Sequence, residues 1–193
     1  VAKNNSVFAN RIGEKVAPDI VTYIDDGTLP NEWGSLNIDD EGEKTRKNIL
    51  IEDGILKGYL IDKFNARRMN AEATGSSRRE SYRFNPTSRM TNTYIAPGKS
   101  KPEDIIASTE NGIYAKCMGV GSVKPETGDY NFAVSEAYLV KNGKIDRPVR
   151  GATLIGNGAK TLQKVDMVGN NLAHGAGMCG SISGSLPVNV GQP

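Results

Sequence analysis

Two dipeptides constrain this chain more than any other feature. Asp53-Gly54 sits between two apolar runs within Asn48 to Ile61, and Asn142-Gly143 sits between the alternating segment Phe132 to Val140 and the returning segment Ile145 to Ile155. Asp-Gly and Asn-Gly supply the two positive-φ residues of a tight hairpin turn, so each site predicts a pair of antiparallel strands. Pro148 lacks a backbone donor and predicts an edge or a bulge in the second hairpin. With 22 glycines and 9 prolines among 193 residues, turns should be frequent, yet the content stays below that of low-complexity chains.

The remaining elements read as short. Ser6 to Ala17 predicts a helix with Val7, Ile12 and Val16 on one face, ended by Pro18, and Ile20 to Ile24 predicts a strand. Asp25-Asp26-Gly27 and Asn37 to Gly42, an acidic turn-rich stretch around Trp33, predict an irregular loop. Asn65 to Ala73 predicts a helix closed by Gly75, and Ser100 with Glu103 forms a capping-box pattern for a helix reaching Asn111. Gly119-Val120-Gly121 reads as a turn. Near the end, Val165 to Val168 and Leu186 to Val190 predict strands flanking a glycine-rich stretch from His174 to Gly180. The expected fold is therefore α+β and strand-rich, with mostly antiparallel sheets in a barrel-like arrangement, a few short helices, and one domain over residues 1–193.

Charge excludes one class of partner. Lys and Arg total 24 against 22 Asp and Glu, a net charge of +2, too small for a polyanion-binding surface made by bulk electrostatics. No apolar run reaches membrane-spanning length, and the opening Val-Ala-Lys-Asn-Asn has no signal-peptide core, so the expected setting is cytoplasmic, without a membrane. Two cysteines, Cys117 and Cys179, make no disulfide framework.

Chemistry concentrates at His174 and Cys179, the single place where two soft or borderline metal ligands fall close in sequence. Three readings stay open: two of the three or four ligands of a metal site, a Cys-His nucleophilic pair, or a buried thiol beside an unrelated loop histidine. Gly175, Gly177 and Gly180 would let backbone approach a ligand closely. Cys117 reads as a structural thiol. The stretch from Arg78 to Tyr94 holds Arg78, Arg79, Tyr82, Arg83, Arg89, Asn92 and Tyr94. Forked guanidinium donors and amphipathic rings suit recognition of a peptide or of nucleic acid, and equally a solvated face of ion pairs. The acids Asp25, Asp26, Asp39, Asp40 and Glu41 fit no EF-hand spacing, and Gly156-Asn157-Gly158 lacks the Lys-Ser/Thr ending of a phosphate loop.

The blocks Arg11-Ile12-Gly13-Glu14, Asp25-Asp26-Gly27-Thr28, Gly34 to Gly42, Asp53 to Tyr59, Asn65-Ala66-Arg67, Arg78 to Tyr82, Arg89 to Tyr94, Gly151 to Gly158, Met167 to Asn170 and Pro187 to Pro193 resemble, in order, the TldD branch of the TldD/PmbA family. That resemblance covers nearly the whole chain. It implies cytoplasmic zinc metallopeptidases, historically labelled modulators of DNA gyrase, which cleave unfolded peptides as homo- or hetero-oligomers with a PmbA/TldE-like subunit. It also implies a metal held by two histidines of a His-Glu-x-x-x-His helix and by one cysteine, at whose place Cys179 stands. Since this chain has a single histidine and stops at Gln192-Pro193, short of the terminal strand common in the family, the resemblance implies a C-terminal domain truncated at both ends, inactive alone, with no catalytic residue of its own and zinc absent from it. Arg78, Arg79, Tyr82, Arg89, Asn92 and Tyr94 are then the candidate lining of a peptide groove, and His174 a loop residue near the site. The rival is a non-catalytic protein- or nucleic-acid-binding module built on the same stretch. Ser181, Ser183 and Gly184 depart from the Lys and Gly-Gln that the family carries after its cysteine.

Overall fold

A computed structural model describes residues 6–193. The order of elements is β1 (Tyr23–Asp26), β2 (Lys47–Glu52), β3 (Ile55–Leu56), α1 (Lys63–Met69), β4 (Ser77–Arg78), β5 (Thr87–Ser88), β6 (Asn92–Ile95), α2 (Pro102–Ser108), β7 (Asn111–Val123), β8 (Asp129–Lys141), β9 (Lys144–Val149), β10 (Thr153–Asn157), α3 (Gly158–Leu162), β11 (Ala173–Ser181) and β12 (Gly184–Gln192).

Both turn dipeptides behave as their chemistry dictates. Asp53 and Gly54 have φ of 48° and 78°, and Asn142 and Gly143 have 49° and 73°, so each pair makes the double positive-φ turn that joins β2 to β3 and β8 to β9. Beneath the first hairpin, Val16, Ala17, Val21, Ile51 and Leu56 form a buried cluster, flanked by Phe8, Tyr23, Tyr59, Leu162 and Val165. Full burial of such an aliphatic side chain contributes about 1.5–3 kcal/mol.

The larger sheet has six strands in the order β11-β12-β6-β1-β2-β3. Its ladders are antiparallel except the β12–β6 pair, which is parallel. In the second sheet the long β8 pairs along most of its length with β7, while β10 takes the first half of its other edge and β9 the second half. A two-strand ribbon joins β4 to β5. Both larger sheets stay open at their edges, so the strand-rich, mainly antiparallel expectation holds without a closed barrel. Among the described residues no helix is long and apolar enough to cross a membrane.

Several local expectations are corrected. Ser6 to Ala17 forms turns rather than a helix, and β1 starts at Tyr23 instead of Ile20. Helix α1 ends when Asn70 enters the left-handed region, five residues ahead of Gly75. Lys101, not Ser100, is the N-cap of α2 and, having no acceptor, makes no side-chain cap, while Pro102 opens the helix with its preset φ. The Gly119-Val120-Gly121 turn lies inside β7, where three register shifts against β8 absorb it as bulges. Val165 to Val168 is not a strand.

Candidate functional site

The glycine-rich stretch is a strand, not a loop. From Ala173 to Ser181 it is β11, the outermost strand of the larger sheet, paired in unbroken register with β12. Successive strand residues point to opposite faces, and directly paired residues share a face. Cys179 pairs with Leu186 and His174 with Gly191, so the five-residue spacing puts the thiol and the imidazole on opposite sides of the sheet. That placement separates the two groups whose proximity the metal-pair and Cys-His readings require.

On the thiol face, pairing carries the row from Cys179 and Leu186 through Val188 and Val190 to Thr93 and Asp25. Leu186 and Val188 are buried, and Cys179 is half-buried with a free thiol. Asp25, fully buried, accepts hydrogen bonds from the Thr91 amide at 2.7 Å, the Thr91 hydroxyl at 2.8 Å and the Thr93 hydroxyl at 2.6 Å. Burial pushes its pKa up, against the pull of those donors and of Arg78.

The two arginines behave as struts. Arg78 donates to the carbonyls of Met90 at 2.8 Å and Pro187 at 2.9 Å; Arg89 donates to Ser183 Oγ at 2.7 Å, to the Gly184 carbonyl at 2.9 Å and to the Cys179 carbonyl. Both are buried, at 6% and 5% exposure, and among the described residues neither has a carboxylate within ion-pair distance. Burial holds the Arg78 guanidinium below its usual pKa, reinforced by Arg89 and opposed by Asp25, Asp40 and Cys179. Glu80 completes the grip on the β11–β12 turn: its amide donates to the Ser183 carbonyl at 2.9 Å and its Oε2 accepts from the Ser185 amide at 2.7 Å.

On the imidazole face lie His174, Asn189, Asn92 and Tyr94, under the loop that carries Trp33. Asn92 accepts from the Gly34 amide at 3.0 Å and donates to Ser35 Oγ at 2.7 Å. Glu32 reaches His174 Nδ1 at 2.8 Å with one oxygen and accepts from Asn189 Nδ2 with the other. The His174 ring lies 5.4 Å from the Tyr94 ring, centroid to centroid. Burial, followed by the nearby Asp26 and Asp25, raises the Tyr94 pKa.

The six residues expected to line a peptide groove are thus divided. Arg78 and Arg89 are buried against main-chain carbonyls, and Asn92 and Tyr94 are buried on the side away from the thiol. Arg79 is half-buried beside Asp40, at 3.7 Å, and Tyr82 is 79% exposed. Glu32 escaped sequence reasoning, since 142 positions separate it from His174 and no local pattern marks it. Among the described residues no three His, Cys, Asp or Glu side chains gather into a metal site. Cys179 fits one position of a zinc site by its chemistry, a free soft donor, and among the described residues no group of three such donors forms around it.

Fold and site together define a strand-rich domain that presents one free thiol from the edge of a mixed sheet. The sequence profile of the PmbA/TldA metallopeptidase C-terminal domain matches residues 1–193, and the chain belongs to that family. It is 54% identical over 193 residues to the Metalloprotease TldD homolog of Buchnera aphidicola subsp. Schizaphis graminum, covering 99% of this chain and 40% of that protein. It is 28% identical over 194 residues to the Zinc metalloprotease TldD homolog of Saccharolobus solfataricus, covering all of this chain and 43% of that protein. Among solved structures, TldE from Thermococcus kodakarensis superposes with a TM-score of 0.79 at 28% identity, over 98% of this chain and 43% of that one. The chain spans less than half the length of these relatives.

Proposed function

We propose that this domain is the C-terminal part of a cytoplasmic zinc-dependent metallopeptidase that cleaves unfolded peptides, and that Cys179 supplies one metal ligand. The observation that carries the reading is the family match over the whole chain, joined to the placement of Cys179 as a free thiol on an open sheet edge. On this reading the other ligands and the general base are supplied from outside these 193 residues. When bound, the metal would activate a water for attack on a peptide carbonyl.

The residues of this chain hold and orient. Arg78, Arg89 and Glu80 fix the β11–β12 hairpin, while Glu32 ties the Trp33 loop to its opposite face. Arg79 and Tyr82 are the groove candidates with side chains accessible to a peptide. A TldE-like subunit is the proposed partner, suggested by the TldE neighbour. The test is hydrolysis of a denatured polypeptide and of its folded form by the full-length protein. The reading expects cleavage of the denatured form alone, abolished by a chelator and restored by zinc, and no turnover by the 193-residue chain. Chelator-resistant cleavage, or turnover by the short chain, would overturn it.

A further inference from the structure

A sulfur that completes a metal site must be held in place, and β11 is poorly equipped to hold one by itself. It is an edge strand with one ladder partner, and three of its nine residues are glycines, which contribute no side-chain packing. Around Gly177 and Gly180 nothing lies within 4 Å of where a Cβ would stand, so neither position is wedged by a neighbour. Fixation therefore has to come from outside the ladder. At the start of the strand it comes from Glu32 on His174. At the thiol it comes from Arg89, whose guanidinium bonds the carbonyl of Cys179 itself and, with its other terminal nitrogen, Ser183 Oγ and the Gly184 carbonyl across the turn.

Burying a guanidinium without a carboxylate partner is costly, and a purely structural tie could be made by a neutral donor. Arg89 spans both ends of the turn with a planar fork that lysine cannot imitate. Ser183 in turn accepts a bond from Thr87 at 3.1 Å, which ties the assembly to β5.

We propose that Arg89 is a positioning residue for Cys179: by bracing the Cys179 carbonyl against the β11–β12 turn, it sets the direction in which the sulfur meets a metal. The proposal rests on the reading of Cys179 as a metal ligand.

The experiment uses full-length protein carrying Cys117→Ser, stripped of metal and titrated with cobalt(II), with the thiolate-to-cobalt charge-transfer band and the affinity as readouts. Cys179→Ser should abolish the band. Arg89→Met should weaken cobalt binding at least tenfold and alter the band at saturating metal, and Arg89→Lys should fail to restore it, because residues that orient a ligand typically cost about 10–100-fold in metal affinity when replaced. Ser183→Ala, which keeps the charge and removes one anchor, should shift both readouts in the same direction by less and covers the case in which Arg89→Met does not fold. A band that survives Cys179→Ser defeats the ligand reading itself. A band lost in Cys179→Ser, with affinity within twofold of the parent and an unchanged saturated spectrum in Arg89→Met and Ser183→Ala, defeats the positioning role and leaves the ligand reading intact.

Discussion

Replacing Asp25 with alanine removes the acceptor for three buried donors at once, the Thr91 amide and the hydroxyls of Thr91 and Thr93, at 2.7, 2.8 and 2.6 Å. The site is 0% exposed, so water cannot take over. Each stranded donor costs about 1–3 kcal/mol, and the hydroxyls recover part of theirs by rotating to new acceptors, which puts Asp25→Ala near 4–6 kcal/mol. That is a large share of the roughly 5–15 kcal/mol that holds a domain together. Asp25→Asn keeps an oxygen for the Thr91 amide and Thr93, and its amide can donate to a rotated Thr91 hydroxyl, so its cost should stay below about 2 kcal/mol. The pH dependence separates the two further. Burial raises the folded-state pKa of Asp25, so between the unfolded value of about 3.9 and the raised folded value the native state binds more proton at this carboxyl than the unfolded chain does. Stability from this group is complete below the unfolded value and is lost as pH rises through the folded one, a loss that Asp25→Asn escapes. Urea denaturation followed through the single tryptophan, Trp33, reads all three proteins. Asp25→Ala within about 1 kcal/mol of the parent would refute the reasoning that this network ties β1 to β6.

Two further substitutions test neighbouring parts of the account. Gly191 lies under the His174 ring, where a Cβ would meet the Tyr94 Cβ at 2.6 Å and His174 Nε2 at 2.7 Å. Gly191→Ala should therefore displace the imidazole from Glu32 and cost about 1–3 kcal/mol in the same denaturation assay, whereas a neutral result would mean the ring is not wedged there. Asp62 caps α1 by accepting from the Asn65 amide at 2.8 Å and also accepts from the Ser88 amide at 3.1 Å and hydroxyl at 2.9 Å. Burial pushes its pKa up, but the Asn65 and Ser88 donors outweigh burial and lower it, so its contribution is present above about pH 4 and disappears as pH falls through the depressed folded value. Asp62→Ala should flatten that acid limb in melting temperature against pH, and an unchanged limb would contradict the assignment.

Features governed by a few adjacent residues were legible in the sequence. Asp53-Gly54 and Asn142-Gly143 specify their turns through local sterics, and both hairpins followed. Strand β7 is hidden from a local reading because Gly119 and Gly121 carry the signature of a turn, while in the fold they belong to bulges; a Cβ on Gly121 would run into the Phe132 ring. The glycine-rich β11 likewise carries the local composition of a loop, and its extended form is imposed by pairing with β12. Cys179 is a free thiol, and its odd spacing to His174 contains the opposite-face result once the segment is known to be a strand. The burial of Arg78 and Arg89 is not legible locally, because guanidinium groups usually lie at surfaces and the carbonyls of Pro187 and Cys179 that bind them come from far along the chain.

Anomalous scattering at the zinc edge from crystals of the full-length protein tests directly whether the Cys179 sulfur binds the metal. The account predicts an anomalous peak about 2.3 Å from Cys179 Sγ. A zinc peak bound elsewhere, with the Cys179 sulfur outside bonding distance of any metal, would contradict it.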